Sequence, residues 1–139
     1  CGPGFFTLDL ARLVGERGRV IACDLQAGML DRLRRKLEGT GLENQVTFHQ
    51  CAAERIAIAE QVDFILAFYM VHEVPDQATF FREVHALLNP GGRVLVVEPP
   101  LHVSKAVFEA TVARARAAGL EPVSRPRISL SKAVLLQKD

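Results

Sequence analysis

Predicted strands and helices alternate along this chain, and no other feature limits its possible folds as strongly. Apolar and β-branched runs predict strands at residues 19–24, 46–50, 62–67, 93–97, 120–123 and 128–136. Helical spacing of apolar residues predicts helices directly after Gly4 and over about 29–37, 77–88 and 104–118. This order is typical of an α/β, doubly wound, mostly parallel sheet with helices on both faces. We expect residues 1–139 to form a single domain of this class.

A glycine-rich loop and an acid stand where such a fold binds nucleosides. Gly2-Pro3-Gly4 directly precedes the first predicted helix, and Asp24 ends a predicted strand about twenty residues later. Glycine allows close approach to the backbone, and the first turn of a helix offers unpaired N–H groups. A carboxylate after the strand can accept hydrogen bonds from two ribose hydroxyls. Loop and acid together predict a bound nucleoside, and loop 51–54 follows another strand and joins the predicted site.

The loop by itself leaves the ligand open. Dinucleotide-binding and adenosylmethionine-binding proteins both have glycines after one strand and an acid after the next. In the dinucleotide pattern G-x-G-x-x-G the third glycine would stand at position 7, where this chain has Thr7. Thr7 weakens the dinucleotide interpretation without excluding it. A third interpretation is an ordinary loop in which Gly2 and Gly4 bind nothing.

Composition argues against several other classes of protein. Lysine and arginine number 17 against 16 aspartates and glutamates, which favours neither a nucleic acid nor an anionic membrane as partner. No apolar run reaches the roughly 18 residues that span a bilayer. Cys1, Cys23 and Cys51 lack the spacing of a zinc site or a disulfide framework, and no His/Asp/Glu cluster has ligand spacing. We therefore expect no metal, a small-molecule partner and a reducing, cytoplasmic setting.

Four segments share their order and spacing with a known family. Cys1-Gly2-Pro3-Gly4 is similar to that family's glycine-rich first motif, and Val20 to Met29 to its second strand and ribose-binding acid. Asp63 to Asp76 resembles the fourth-strand motif, and Leu88 to Arg93 the L-x-P-G-G-R segment before strand five. The chain thus resembles the class I S-adenosylmethionine-dependent methyltransferases, within the small-molecule group related to the ubiquinone/menaquinone methyltransferases.

The resemblance implies S-adenosylmethionine as cofactor and in-line methyl transfer to a small-molecule acceptor. The implied cofactor-binding residues are Gly2, Gly4, Asp24, Leu25, Met29, Ala52, Ala53 and Ala67. Ala52 stands where the family often has an aspartate that bonds the adenine amino group, so adenine would depend on backbone N–H groups and apolar walls. The family also has a complete strand before its glycines. We therefore expect a Rossmann-like methyltransferase fold that is truncated at its N-terminus.

His72 is the predicted catalytic residue, because the resemblance places it nearest to the expected methyl group. An imidazole can take a proton from a hydroxyl or an amine at neutral pH. A hydrogen bond to backbone within the motif is the other role open to His72. Tyr69, three residues earlier, is predicted either to pack over the cofactor or acceptor or to pack in the core.

Two rival functions remain open from the sequence. One is an NAD-dependent oxidoreductase, against which Thr7 and the Asn89 to Arg93 segment both speak. The other is a truncated fold without cofactor that acts as an interaction module or homodimerises through exposed strand edges. Self-association that depends on concentration, without nucleoside binding, would distinguish this module from both enzymes.

Overall fold

The computed structural model describes residues 1–139 and contains four α-helices and six β-strands. They divide into two units, Cys1–Ala52 and Ala53–Asp139. The first unit contains α1 (Thr7–Val14), β1 (Val20–Asp24), α2 (Ala27–Leu37) and β2 (Val46–Gln50). The second contains β3 (Val62–Phe68), α3 (Gln77–Leu87), β4 (Leu88–Glu98), α4 (Lys105–Ala117), β5 (Leu120–Ser124) and β6 (Lys132–Lys138).

The first unit is a pair of parallel strands with a small core. β1 and β2 pair in parallel, with Ala22 opposite Phe48. Leu33 and Leu37 of α2 are separated by one helical turn, so both face the strands and are almost fully buried. They pack with Ala22, and Ala11 of α1 belongs to the same core. Both strands therefore end at one edge, where Asp24 and Gln50 lie side by side.

The second unit contains a four-stranded sheet in the order β3-β4-β6-β5. β3 and β4 are parallel, whereas β6 is antiparallel to both β4 and β5. Val94, Val96 and Val97 of β4 are fully buried, as is typical of a strand inside a sheet. Phe81 of α3 is also fully buried and belongs to the same core as Val94 and Val96.

Several boundaries differ from those expected from the sequence. α1 begins at Thr7 rather than directly after Gly4, because residues 1–6 form turns. β4 begins at Leu88, whereas the sequence predicted a strand only from Arg93. The intervening Asn89-Pro90-Gly91-Gly92 forms an irregularity within the strand rather than a separate loop. The last strand begins at Lys132 instead of residue 128, because a turn precedes it.

The predicted start of α4 is confirmed. Ser104 has extended backbone, and its Oγ accepts a hydrogen bond from Val107 N at 3.2 Å. Asp76 caps α3 in the same way, through Thr79 N at 3.1 Å. Each cap satisfies one N–H group that a helix terminus otherwise leaves unpaired. No helix in the structure combines the length and the apolar character that crossing a membrane requires.

Candidate functional site

The glycine loop and the acid predicted to act together are in direct contact. Gly2 N donates a hydrogen bond to Asp24 Oδ2 over 2.8 Å. Both glycines of the loop have positive φ, 58° at Gly2 and 93° at Gly4, a region that L-residues rarely occupy. The loop is closed by a further bond from Gly4 N to Cys1 O. Glycine at these positions is therefore a backbone requirement before any ligand is considered.

Asp24 is held as a carboxylate by backbone donors. Its Oδ2 accepts from Gly2 N at 2.8 Å, while its Oδ1 accepts from Gln26 N at 2.9 Å. Burial raises the pKa of Asp24, but the hydrogen bonds from Gln26 N and Gly2 N outweigh that effect, and the pKa lies below its ordinary value. Oδ1 accepts only one of these bonds, so it retains a lone pair for a hydroxyl donor.

Gly4 has a packing role that the sequence did not indicate. A Cβ placed on Gly4 would lie 2.3 Å from Leu33 Cδ1, far inside van der Waals contact. The Gly4 carbonyl also accepts from Lys36 Nζ at 3.1 Å. Gly4 therefore lets the loop lie directly against α2.

The other predicted residues of the first unit lie near the same strand edge. Leu25 directly follows β1 and is half exposed, and Met29 is partly buried in the first turn of α2. The chain after β2 is tied to the chain after β1, because Cys51 N donates to Asp24 O at 3.1 Å. Ala52 is exposed and comes next in the chain. The edge thus presents one carboxylate beside apolar side chains.

Ala53 and Ala67 belong to the second unit and have different surroundings. Ala53 is exposed at its start. Ala67 lies on β3 opposite Val96, is 3% exposed, and packs in the core of the unit. Its methyl group packs in that core, so only the backbone of Ala67 is left to contact a cofactor. The cofactor role of Ala67 stays a prediction.

His72 lies in a short 3-10 turn, Val71–Glu73, that follows β3. Its Nδ1 is 3.0 Å from Oε2 of Glu98, the last residue of β4. Glu98 is only 1% exposed and also accepts from Val71 N at 3.2 Å and His72 N at 2.9 Å. The His72 side chain is 24% exposed, and its Nε2 is 3.9 Å from Glu73 Oε1. The His72 amide and the His72 ring thus both contact the Glu98 carboxylate, rather than the backbone partner that the sequence left open.

Glu98 is the functional candidate that sequence reasoning missed. The sequence marked it only as the residue at which Glu98-Pro99-Pro100 breaks a strand. The sequence feature that could have identified Glu98 is a carboxylate at the end of an otherwise apolar strand, since a buried charge needs partners. Those partners come from a turn 26 residues earlier in the chain.

Tyr69 adopts a backbone conformation that is rare for its residue type. Its φ is 55°, which costs about 1–3 kcal/mol for a residue other than glycine. Its amide donates to Val97 O at 2.7 Å, and its hydroxyl lies 2.5 Å from Ser131 Oγ. The ring stacks on Phe68 with centroids 4.2 Å apart. Because Tyr69 is 39% exposed, packing in the core is wrong as its role.

The cysteines show no arrangement for metal chemistry. No group of three or more His, Cys, Asp or Glu side chains in the structure could hold a metal ion. Burial, with a smaller effect from a hydrogen bond to Cys51, raises the pKa of Cys23 to about 12. The Cys23 thiol is therefore protonated at neutral pH and is a poor nucleophile or ligand.

Comparison with known proteins adds a family to this geometry. Residues 1–92 match the protein family described as "Methyltransferase domain". Ubiquinone/menaquinone biosynthesis C-methyltransferase UbiE of Klebsiella pneumoniae is 37% identical over 98 residues, covering 70% of this chain and 39% of that protein. Demethylmenaquinone methyltransferase of Lactococcus lactis is 34% identical over 113 residues, covering 78% and 44% respectively. The chain thus spans about two fifths of the length of the curated relatives it matches.

Solved structures agree on the fold. A SAM-dependent methyltransferase from Aquifex aeolicus superposes with a TM-score of 0.86 at 23% identity, covering 99% of this chain and 78% of that one. The [4+2]-cyclase SpnF superposes with a TM-score of 0.77 at 20% identity, covering 93% and 52%. These likenesses confirm the predicted fold class, and the name of the second shows that the fold alone does not establish the reaction.

Proposed function

The chain belongs to the methyltransferase domain family, and from this premise we propose that it transfers a methyl group from S-adenosylmethionine to a small-molecule acceptor. The observation that carries the proposal is the contact of Gly2 with Asp24 at the carboxyl edge of β1. It combines the two elements that a nucleoside site requires, a glycine loop and an ionised acid with a lone pair to spare. The resemblance found in the sequence is confirmed at the level of this family.

The residues of the first unit fit the cofactor's nucleoside part. Asp24 Oδ1 accepts a single hydrogen bond, from Gln26 N, and would accept a second from a ribose hydroxyl. Leu25 and Met29 supply apolar surface next to that carboxylate, as an adenine ring requires. Without an aspartate at position 52, adenine recognition would depend on the backbone of Ala52 and Ala53.

Catalysis by this chain would depend mainly on alignment. S-adenosylmethionine, when bound, supplies an already activated methyl group on a sulfonium centre. The chain's own contribution is to orient the acceptor and exclude water, and the gain from orientation reaches about 7–11 kcal/mol in favourable cases. A base is needed only where the acceptor loses a proton. We assign that role to His72, whose ring is partly exposed.

The curated relatives suggest the first acceptor to test and speak against the rival functions. The name of the Lactococcus lactis relative contains demethylmenaquinone. The reduced form of that quinone carries hydroxyl protons. The match to a methyltransferase family favours neither an NAD-dependent oxidoreductase nor a cofactor-free module. We further propose that residues 1–139 act as one domain in the cytoplasm, a setting in which its three free cysteines stay reduced.

Titration calorimetry with S-adenosylhomocysteine tests the cofactor directly, with NADH as the control nucleotide. We expect S-adenosylhomocysteine to bind with a Kd on the order of micromolar and NADH not to bind, since position 7 is Thr7 rather than glycine. Binding of NADH alone would favour the oxidoreductase. If neither ligand binds and the chain self-associates in a concentration-dependent way, the interaction module would be favoured.

Replacing Asp24 by asparagine should weaken S-adenosylhomocysteine binding by about 10- to 100-fold, since a hydrogen bond to a charged group contributes about 1.5–3 kcal/mol. The neutral amide also presents a donor to Gly2 N or Gln26 N, each of which now donates to a carboxylate oxygen. Calorimetry of the variant measures the loss. Asp31→Asn, at an exposed position of α2, is the matched control and should bind like the unaltered chain. Equal affinity in the two variants would exclude Asp24 from the site.

A further inference from the structure

Glu98 and His72 form a carboxylate–imidazole pair whose two members differ sharply in exposure. Glu98 is 1% exposed, whereas His72 presents 24% of its side chain to solvent. The buried member therefore cannot reach a ligand, but the imidazole can. Any effect of Glu98 on chemistry must pass through His72.

The hydrogen bonds of Glu98 determine which atoms of His72 are occupied. Val71 N and His72 N, both obligatory donors, point at the two carboxylate oxygens. His72 Nδ1 is 3.0 Å from the same Oε2 that accepts from His72 N. An ionised carboxylate only accepts hydrogen bonds, so a bond at this distance requires a proton on Nδ1. In the neutral imidazole the other nitrogen, Nε2, then carries the lone pair.

We propose that Glu98 is a positioning residue that holds neutral His72 in the tautomer with its proton on Nδ1, which makes Nε2 the atom that accepts the proton of the methyl acceptor. This inference rests on the proposed function and deepens it. Two of the three bonds to Glu98 involve His72 itself, so the carboxylate fixes both the backbone and the ring of that residue. A residue held at both its backbone and its ring loses little freedom when a ligand arrives.

The proton balance of this step limits the class of acceptor. The acceptor's X–H bond breaks and its proton moves to His72 Nε2. Where X is a hydroxyl oxygen that is itself methylated, the pair left on X would form the bond to the methyl carbon. Where a ring carbon beside the hydroxyl is methylated, that pair would become the carbonyl π bond, a ring π pair would form the bond to the methyl carbon, and the hydrogen on that carbon would return to the oxygen as a proton when the aromatic ring is restored. In both cases the methyl–sulfur bond would break with its pair remaining on sulfur. Acceptors that must release a proton, such as a phenolic hydroxyl or a ring carbon activated by one, fit this site. Thioethers and tertiary amines, which become cations on methylation without losing a proton, do not need it.

The surrounding charges support a proton on Nε2 after transfer. Glu98 Oε2 lies 3.0 Å from Nδ1, and Glu73 Oε1 lies 3.9 Å from Nε2 on the opposite side of the ring. Both neighbours are carboxyl groups, whose oxygens can accept a hydrogen bond from a ring N–H. The Glu98 carboxylate is shielded from water, whereas Glu73 is 75% exposed and contributes less.

The tautomer of His72 tests the inference without any substrate. Long-range ¹H–¹⁵N correlation spectra of the ¹⁵N-labelled chain at about pH 8.5, where an ordinary imidazole is neutral, show which ring nitrogen carries the proton. We expect Nδ1–H for His72. His102, exposed in the loop before α4, is the internal control and should show the mixture of tautomers of a free imidazole. A His72 resonance with its proton on Nε2 would overturn the inference.

A variant separates the effect of Glu98 from a general property of the turn. In Glu98→Gln the side-chain amide presents a donor, so His72 should lose its strict Nδ1–H form and give a mixture. If Glu98 only fixed the backbone of the turn, the tautomer would not change. Should this variant fail to fold, the spectrum of the unaltered chain still decides the question. Absence of S-adenosylhomocysteine binding would refute the proposed function and leave the tautomer result standing, so the two failures are distinguishable.

Discussion

Replacing Gly4 by alanine should lower the free energy of unfolding by about 3 kcal/mol. Two costs add: a φ of 93° is unfavourable for any L-residue by roughly 1–2 kcal/mol, and overpacking costs roughly 1–3 kcal/mol. The new methyl group would lie 2.3 Å from Leu33 Cδ1, so α2 or the loop has to move. Urea unfolding followed by circular dichroism measures the change.

Gly2→Ala is the matched control for this prediction. Gly2 also has positive φ, 58°, but its added Cβ would meet only the Phe5 ring at 3.4 Å, an ordinary contact. We expect this variant to lose about 1 kcal/mol, the cost of the left-handed backbone alone. The difference between the variants isolates the contact with Leu33. Equal losses would show that Leu33 gives way freely and that packing against α2 is not the reason for glycine at position 4.

The sequence pattern was sufficient to predict which helices and strands form, but not where their irregular parts lie. Strand β2 was predicted with the observed bounds, Val46–Gln50, because its β-branched and aromatic residues lie between clear loops. β4 was predicted to begin five residues too late, since Asn89-Pro90-Gly91-Gly92 is strong turn chemistry on its own. In the fold, Leu88 pairs with Val62, and this tertiary contact extends the strand through residues that favour a turn.

The candidate site was predictable where both partners belong to known motifs. Gly2 and Asp24 were expected to act together, and they are hydrogen-bonded. Glu98 was not predictable in the same way, because the reason for its burial is a pair of N–H groups and an imidazole that only the fold brings near it. Ala67 shows the converse limit, because its place in the motif suggested a ligand contact while its methyl group packs in the core.

Replacing His72 by alanine should lower kcat by about 10²-fold or more, the typical contribution of a general base. The reaction to follow is methyl transfer to reduced demethylmenaquinone, the acceptor suggested by the Lactococcus lactis relative. The acceptor's KM should change little, because the lost interaction forms only as the proton leaves. S-adenosylhomocysteine affinity, measured by calorimetry, should also be unchanged, since the nucleoside residues proposed for it lie mainly in the first unit.

The control for the loss of kcat must be a histidine that has no buried carboxylate as a partner. His102 is exposed in the loop before α4, so His102→Ala should retain full kcat. The hydrogen bonds from Val71 N and residue 72 N to the Glu98 carboxylate persist in His72→Ala, so the turn stays intact. A lower kcat in this variant therefore reports the missing imidazole and not a folding defect. A loss below about threefold would mean that the acceptor releases its proton to water. That result would exclude His72 as the base, and its contact with Glu98 would then serve only to stabilise the turn.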